Sequence, residues 1–230
     1  MTRTLQKRYV VVTGDLKSSR KLKDRVGVQE ELKSALRIVN RRFDDAIPAK
    51  FMVIGGDSFQ GMLSSPKYLF DIYFAFFENI SHQFYLGIGV GNISTRLSEN
   101  VGEIDGEAFH KASEALESAK KENMWITFKS EWEIDDIVTC LLNFMADVMW
   151  NWTKRQREIV TYYRKVKNEK GRITLEEVAR SIGIKKQTLS KILKRSKYKL
   201  LKEAEDTFAD FIIRNWLTEQ NKPKMAVEGW

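Results

Sequence analysis

Two carboxylates stand where the pattern gives charge no structural reason to be. Asp15 closes the stretch Thr13-Gly14-Asp15 after the apolar run Tyr9 to Val12, and Asp57 follows the glycine pair Gly55-Gly56. An unpaired charge at the end of a buried strand is costly, so its presence suggests a task. If the strand ending in Asp15 pairs beside the hairpin carrying Asp57, the backbones lie about 4.8 Å apart and both side chains can reach one divalent cation. Oxygen ligands of this kind favour Mg2+ or Mn2+. The cation would hold the phosphates of a nucleoside triphosphate and help a 3′-hydroxyl attack the α-phosphorus. The plainer alternative is that Asp15 caps the following loop and Asp57 is an ordinary turn residue.

Positioning such a pair requires a sheet, and the pattern supplies one. Tyr9 to Val12 reads as a strand, and Leu32, Leu36, Val39 and Phe43 mark a long helix. Phe51 to Ile54 and Ser58 to Leu63 form a hairpin around Gly55-Gly56, because paired glycines accept positive φ. A helix near Lys67 to Ile80, a strand Phe84 to Val90, a helix Glu107 to Lys121 and a strand Met124 to Phe128 complete the order βαββαβαβ. That order predicts an α+β fold, a ferredoxin-like sheet covered by helices on one face. The aromatic run Tyr68, Phe70, Tyr73, Phe74, Phe76 and Phe77 has helical spacing in an apolar segment and reads as core. Trp150 and Trp152 read likewise. His110 reads as a packed polar residue and His82 as a surface turn residue, and neither is assigned a role.

Charge divides the chain. Residues 1 to 150 carry 19 basic and 21 acidic side chains, whereas residues 151 to 230 carry 20 and 10. Within the second part, Lys154 to Lys202 holds 17 basic and 4 acidic residues, the density of a surface that faces phosphate. Here Leu175, Val178, Ala179 and Ile182 place an apolar stripe on a short helix, Gly183 ends it, and Ile184, Leu189, Ile192 and Leu193 face a second helix inward. A preceding helix, Thr153 to Lys167, supplies Ile159, Tyr163 and Val166 as the third packing partner. This is the spacing of a helix-turn-helix. Its second helix turns Lys185, Lys186, Gln187, Thr188, Ser190, Lys191, Lys194 and Arg195 outward. Gln187, Thr188 and Ser190 are placed to reach base edges, and Lys191, Lys194 and Arg195 to grip phosphates. DNA is the expected partner, with RNA still open, and a packing module with a solvated basic face is the alternative.

The sequence thus divides into a palm-like domain 1–130, a connecting helix 131–152, a helix-turn-helix domain 153–217 and a mobile tail 218–230. On the connecting helix, Leu141, Phe144, Val148 and Trp152 share a face suited to a dimer seam or to packing on the palm. The one cysteine, Cys140, closes no intrachain bridge, and two histidines with one cysteine exclude a Cys/His-rich zinc site. The longest apolar stretch, Ile137 to Trp152, is interrupted by Asn143 and Asp147 and is too short to span a bilayer. A cytoplasmic location is expected.

Resemblance sharpens these expectations. The stretches VVVTGDLKSSR, FMVIGGDSFQGML, FYLGIGVGNIST and GEAFHKASEALESAK, in that order, resemble the SatD family, and the whole is similar to the palm of class III nucleotidyl cyclases and GGDEF proteins over about 120 residues. The resemblance implies that Asp15 and Asp57 bind metal and that Leu16, Lys17, Ser18, Ser19 and Arg20 form a phosphate loop. Gly56 and Gln60 join them as nucleotide-binding candidates, and Gly87, Gly89 and Gly91 belong to the strand beyond. The segment WTKRQREIV with ITLEEVARSIGIKKQTLSKILKRSKYKLL resembles sigma-factor region 4 and related response regulators. Palm cyclases act as dimers and helix-turn-helix proteins bind paired half-sites, so a homodimer is expected.

The chain also departs from these patterns. Ser58 stands where GGDEF proteins carry a catalytic carboxylate, and His110 and Glu114 stand where class III cyclases carry an Asn and an Arg. Losing a transition-state cation costs on the order of 10² in rate, so turnover would need another donor, such as Arg20, Arg96 or a group from a second subunit. Two function classes follow. One is a DNA-binding regulator whose palm senses a nucleotide with a divalent metal. The other is a nucleotidyl cyclase or nucleotidyltransferase making a cyclic or oligonucleotide product.

Overall fold

The computed structural model describes residues 7–18 and 24–221. Its elements run β1 (Tyr9–Leu16), α1 (Arg25–Arg42), β2 (Ala49–Gly55), β3 (Ser58–Leu63), α2 (Leu69–Asn79), β4 (Phe84–Gly91), α3 (Glu107–Glu122) and β5 (Ile126–Lys129). They continue with α4 (Asp135–Trp150), α5 (Lys154–Lys170), α6 (Leu175–Ser181), α7 (Lys186–Arg195) and α8 (Tyr198–Asn221). The described residues therefore form a mixed α+β chain of five strands and eight α-helices. Among them no helix is long and apolar enough to cross a membrane. The chain separates into two compact units, residues 1–139 with 208–230, and residues 140–207. Both passages from one unit to the other fall inside a helix, the first in α4 and the second in α8. Residues 222–230, most of the expected tail, lie outside the described residues.

In the first unit the sheet order is β2-β3-β1-β4-β5. β1 pairs antiparallel with both β3 and β4, and β5 joins β4 in parallel. This is the split β-α-β arrangement with one added strand. β1 runs past its apolar core to include Thr13, Gly14, Asp15 and Leu16, because each has a partner in β3 or β4. One expectation is overturned: helices cover both faces of the sheet. On one face, Phe59 and Phe84 meet Phe76 of α2 at ring-centroid distances of 5.0 and 6.4 Å, and Phe51 meets it at 5.4 Å. α2 is buried all round from Ile72 to Phe77, so its aromatic run is core.

The opposite face belongs to α3, and glycine explains why that helix fits. A Cβ at Gly87 would lie 2.3 Å from the carbonyl oxygen of Ala112, and one at Gly89 would lie 2.2 Å from that of Ala108. No side chain fits such gaps, so the β4 glycines let α3 seat its backbone directly on the strand. Tyr9, Val11, Met62, Ala108, Phe109 and Ala112 pack together across this interface. β4 continues into β5 through α3, whose end is formed by Asn123 in a left-handed conformation. The far end of α8 also belongs to this unit: Trp216 is buried and meets Trp132 edge to face at 6.0 Å, and Trp132 in turn meets Phe128 of β5.

In the second unit, Ile159, Val166, Val178, Ala179 and Leu189 form a core, flanked by Tyr163, Leu175, Ile182, Ile184, Ile192 and Leu193. The apolar positions expected from spacing thus converge. Capping boxes start α5 at Thr153 and Gln156 and α6 at Thr174 and Glu177, satisfying backbone N–H groups that a helix start leaves open. Gly183 has φ +68°, and Ile184 N–H donates to Ala179 O at 3.0 Å, which closes α6. Arg164 of α5 and Glu205 of α8 form a bidentate ion pair, both side chains nearly fully buried. α4 buries Val138, Leu142, Met145, Ala146 and Met149, so the face carrying Ile137 and Phe144 points outward, at 58% and 69% exposure.

Two stability outcomes follow. Gly89→Ala forces α3 off the sheet and costs about 1–3 kcal/mol by urea denaturation. Arg164→Ala strands the Glu205 charge and costs about 3–5 kcal/mol, whereas Arg164→Met with Glu205→Leu recovers most of that loss.

Candidate functional site

The first site lies where β1 and α3 end and β3 begins. Asp15 is opposite Ser58 in the β1–β3 register and opposite Tyr85 in the β1–β4 register. The Ser58 hydroxyl donates to Asp15 Oδ1 at 2.7 Å, and Lys120 Nζ lies 3.0 Å from Oδ2. Strand alternation turns Asp15 to the same face as Gly87 and Gly89, the face that α3 covers, and this is how the last turn of α3 brings Lys120 to it.

Asp57 precedes Ser58 in the hairpin turn, where Gly56 has φ +56°. Its carboxylate is nearly buried and is approached from α1: Gln29 Nε2 donates to Oδ1 at 3.2 Å and Arg25 Nη2 lies 3.5 Å from Oδ2. The same Gln29 amide donates to Gly56 O at 3.4 Å. The two backbones meet, since Leu16 N–H donates to Asp57 O at 3.4 Å. The sheet therefore holds the aspartates side by side in backbone while their carboxylates lean on different helices, each against a cation.

The remaining candidates fall around this pair unequally. Leu16 is buried at the end of β1. Lys17 donates to Asn123 Oδ1 at 2.7 Å, and its ammonium lies 5.2 Å from the Tyr85 ring centre and 5.1 Å from that of Trp125. Ser18 is in a left-handed conformation with φ +53°. Ser19 and Arg20 lie outside the described residues. Gln60 stands opposite Thr13 on the α3 face, about nine-tenths buried, and lines a groove of about 580 Å³ with Met52, Ile54, Phe109 and His110. His110 is not the packed residue expected from its helical position: it is 69% exposed and lies 3.3 Å from Asp105. The reason is that Ala108, Phe109 and Ala112 already fill the buried face of α3. His82 is half-buried against the carbonyl of Lys17, and Glu114 pairs with Lys129 at 3.0 Å.

The donors suit a hard cation. Mg2+ is held by one or two carboxylates while it keeps waters and binds phosphate, and Asp15 and Asp57 offer that number. No group of three or more His, Cys, Asp or Glu capable of holding a metal occurs among the described residues. Spacing does not single out Lys120, Arg25 and Gln29. A lysine in the last turn of a helix is the ordinary complement of the helix dipole, and an arginine in the first turn carries no motif.

The second site is a helix face in the basic unit. Lys185, Lys186, Gln187, Thr188, Ser190, Lys191, Lys194 and Arg195 are all exposed, while α7 buries Leu189 alone. α6, the helix before it, is fixed by its cap: the Thr174 hydroxyl and backbone N–H hold the Glu177 carboxyl below the usual carboxylate range.

Comparison with known proteins gives three results. Among solved structures, the guanylate cyclase domain of RhGC from Catenaria anguillulae in complex with GTP is similar at 11% identity and a TM-score of 0.38, over 49% of this chain and 74% of that one. An EAL/GGDEF domain protein from M. capsulatus is similar at 18% identity and a TM-score of 0.37, over 54% and 84%. Likeness at this level carries no argument about activity. No curated protein matches the sequence. A family model described as the SatD family matches residues 9–212.

Proposed function

The chain belongs to the SatD family, and from that premise we propose that it is a DNA-binding, transcription-regulating protein whose sheet unit binds a nucleoside triphosphate with Mg2+ or Mn2+ as a sensor. The observation that carries the first half is the α7 face. Its seven outward positions and its N-cap Lys185 are polar or basic and exposed, on a helix whose inward positions join the core of α5 and α6. In this reading α6 and α7 are a helix-turn-helix, α7 enters the major groove, Gln187, Thr188 and Ser190 read base edges, and the lysines with Arg195 hold phosphates.

Support for the sensing half comes from the other unit. In this reading Asp15 and Asp57 supply oxygen ligands, and Leu16, Lys17 and Ser18 with Gly56 and Gln60 surround a phosphate-bearing ligand. A bound cation would supply charge neutralisation for those phosphates. The chain's own residues do the rest: Ser58 orients Asp15, while Gln29 orients Asp57 and steadies the hairpin carbonyl at Gly56. A ligand regulates only through its different affinity for two states, and a change between monomer and homodimer is the pair of states this reading names. The exposed apolar face of α4 is open to that step.

A second reading has one observation of its own. The hydrogen bond from Leu16 N–H to Asp57 O sets the hairpin turn that carries Asp57 beside the end of the strand that carries Asp15, the arrangement a nucleotidyl cyclase or nucleotidyltransferase would require. Ser58, His110 and Glu114 weigh against it, because Ser58 lacks a carboxylate and Glu114 puts negative charge where a cation would stabilise the negative charge that develops in such chemistry.

DNA binding is tested by fluorescence anisotropy on duplex DNA across a salt series. The wild type is expected to show a steep fall of log K with log salt, and Lys191→Ala with Lys194→Ala to reduce that slope by about 0.9 per lost phosphate contact. Absence of binding at low salt, or a double variant indistinguishable from the wild type, removes the reading. For the second reading, each nucleoside triphosphate is incubated with the protein and Mg2+ or Mn2+, and the small molecules are read by mass spectrometry. A product lost in Asp15→Ala/Asp57→Ala would establish an enzyme, and unchanged triphosphate is the outcome expected of a sensor.

A further inference from the structure

Asp15 is fully engaged within its own chain. One oxygen accepts from Ser58 at 2.7 Å and the other faces the Lys120 ammonium at 3.0 Å. Lys120 has a second, longer contact with Glu117 at 3.6 Å, and its side chain is one-third exposed. A Mg2+ or Mn2+ ion binds a carboxylate oxygen at about 2.1 Å. An ammonium 3 Å from that same oxygen would stand close to the metal with like charge and no shielding group between them. The two cations are therefore rivals for one oxygen.

We propose that Lys120 is a resident counter-ion of Asp15 and that a divalent cation binds only by displacing it, so that the Lys120–Asp15 pair and the metal-bound site are alternative states. The inference rests on the reading of Asp15 and Asp57 as the metal pair. Three features make the exchange possible. Lys120 sits in the last turn of α3, where the negative end of the helix stabilises an ammonium released from Asp15. Glu117 is already within reach of it, one turn earlier on the same helix. Ser58 keeps its hydrogen bond to the other oxygen, so Asp15 does not have to be reoriented when its cation changes. On the Asp57 side the cation contact is longer, since Arg25 lies 3.5 Å away and is half exposed, and the Lys120 contact is the one that sets the affinity.

The test is Mn2+ binding to the full chain without nucleotide, read by electron paramagnetic resonance of free Mn2+ at fixed ionic strength. The wild type is compared with Lys120→Met, Lys120→Gln, Lys120→Arg and Asp15→Asn, with thermal melts to confirm that each is folded. Removing the ammonium in the Met or Gln variant is expected to tighten Mn2+ binding by about five- to tenfold, the Arg variant to stay near the wild type, and Asp15→Asn to lose the site. Tightening from an undetectable wild-type level supports the same conclusion. Equal affinities in the wild type and both neutral variants, with loss in Asp15→Asn, would overturn the counter-ion while leaving the metal pair intact. Weaker binding in the neutral variants, or tightening in the Arg variant as well, would also overturn it. No Mn2+ bound by any folded protein would remove the metal pair itself, and the counter-ion with it.

Discussion

Close approach of α3 to β4 is the constraint on which the first unit depends. Gly87 and Gly89 leave the strand bare where Ala108 and Ala112 bring the helix backbone against it, and no larger residue fits those gaps. Dispersion attraction across so close an approach is weak for each pair of atoms and large in sum. The consequence extends beyond stability. Because α3 is pinned along β4, its last turn is carried to the far end of the sheet, and Lys120 arrives at Asp15 by geometry set several residues earlier. Packing and electrostatics in this unit are one arrangement, with glycines at one end and an ion pair at the other.

The basic unit solves a different problem. It is small and heavily charged, and its core of Ile159, Val166, Val178, Ala179 and Leu189 is modest. Capping boxes at Thr153 and Thr174 keep its helix starts satisfied, and the Arg164–Glu205 pair ties α5 to α8 from inside. A buried ion pair contributes less to stability than its short separation suggests, because both groups lose their hydration. Separating α5 from α8 would leave either charge alone in that position, which is strongly unfavourable. The exposed basic face is thereby left to lysines that carry no packing duty.

Much of this is legible in the residues. Period-2 and period-3.6 patterns locate the strands and helices of the sheet unit to within a few residues, since burial on one face leaves a regular trace. Asp15 and Asp57 stand out because charge beside apolar runs and turn glycines is conspicuous. The second covered face of the sheet is hidden for a clear reason: β4 meets α3 through glycines, so the interface leaves no hydrophobic alternation to read on that strand. His110 misleads because its neighbours Phe109 and Ala112 define the inward face and it falls just off it. Lys120, Arg25 and Gln29 are invisible because their partners are 28 to 105 residues away in sequence, and no local pattern encodes a contact at that separation.

The path of α8 has one more consequence, which concerns time. The helix begins in the basic unit at Tyr198 and finishes in the sheet unit, where Trp216 covers Trp132. A chain emerging from the ribosome presents all five strands long before the residues that complete their surroundings, although domains usually fold as they emerge. Until Trp216 has been made, Trp132 has Phe128 beside it but lacks its second aromatic neighbour, and the whole basic unit must be synthesised in between. The first unit to begin folding is thus the last to be finished, and cutting the chain at the boundary after Thr139 would yield an incomplete sheet unit rather than an independent domain.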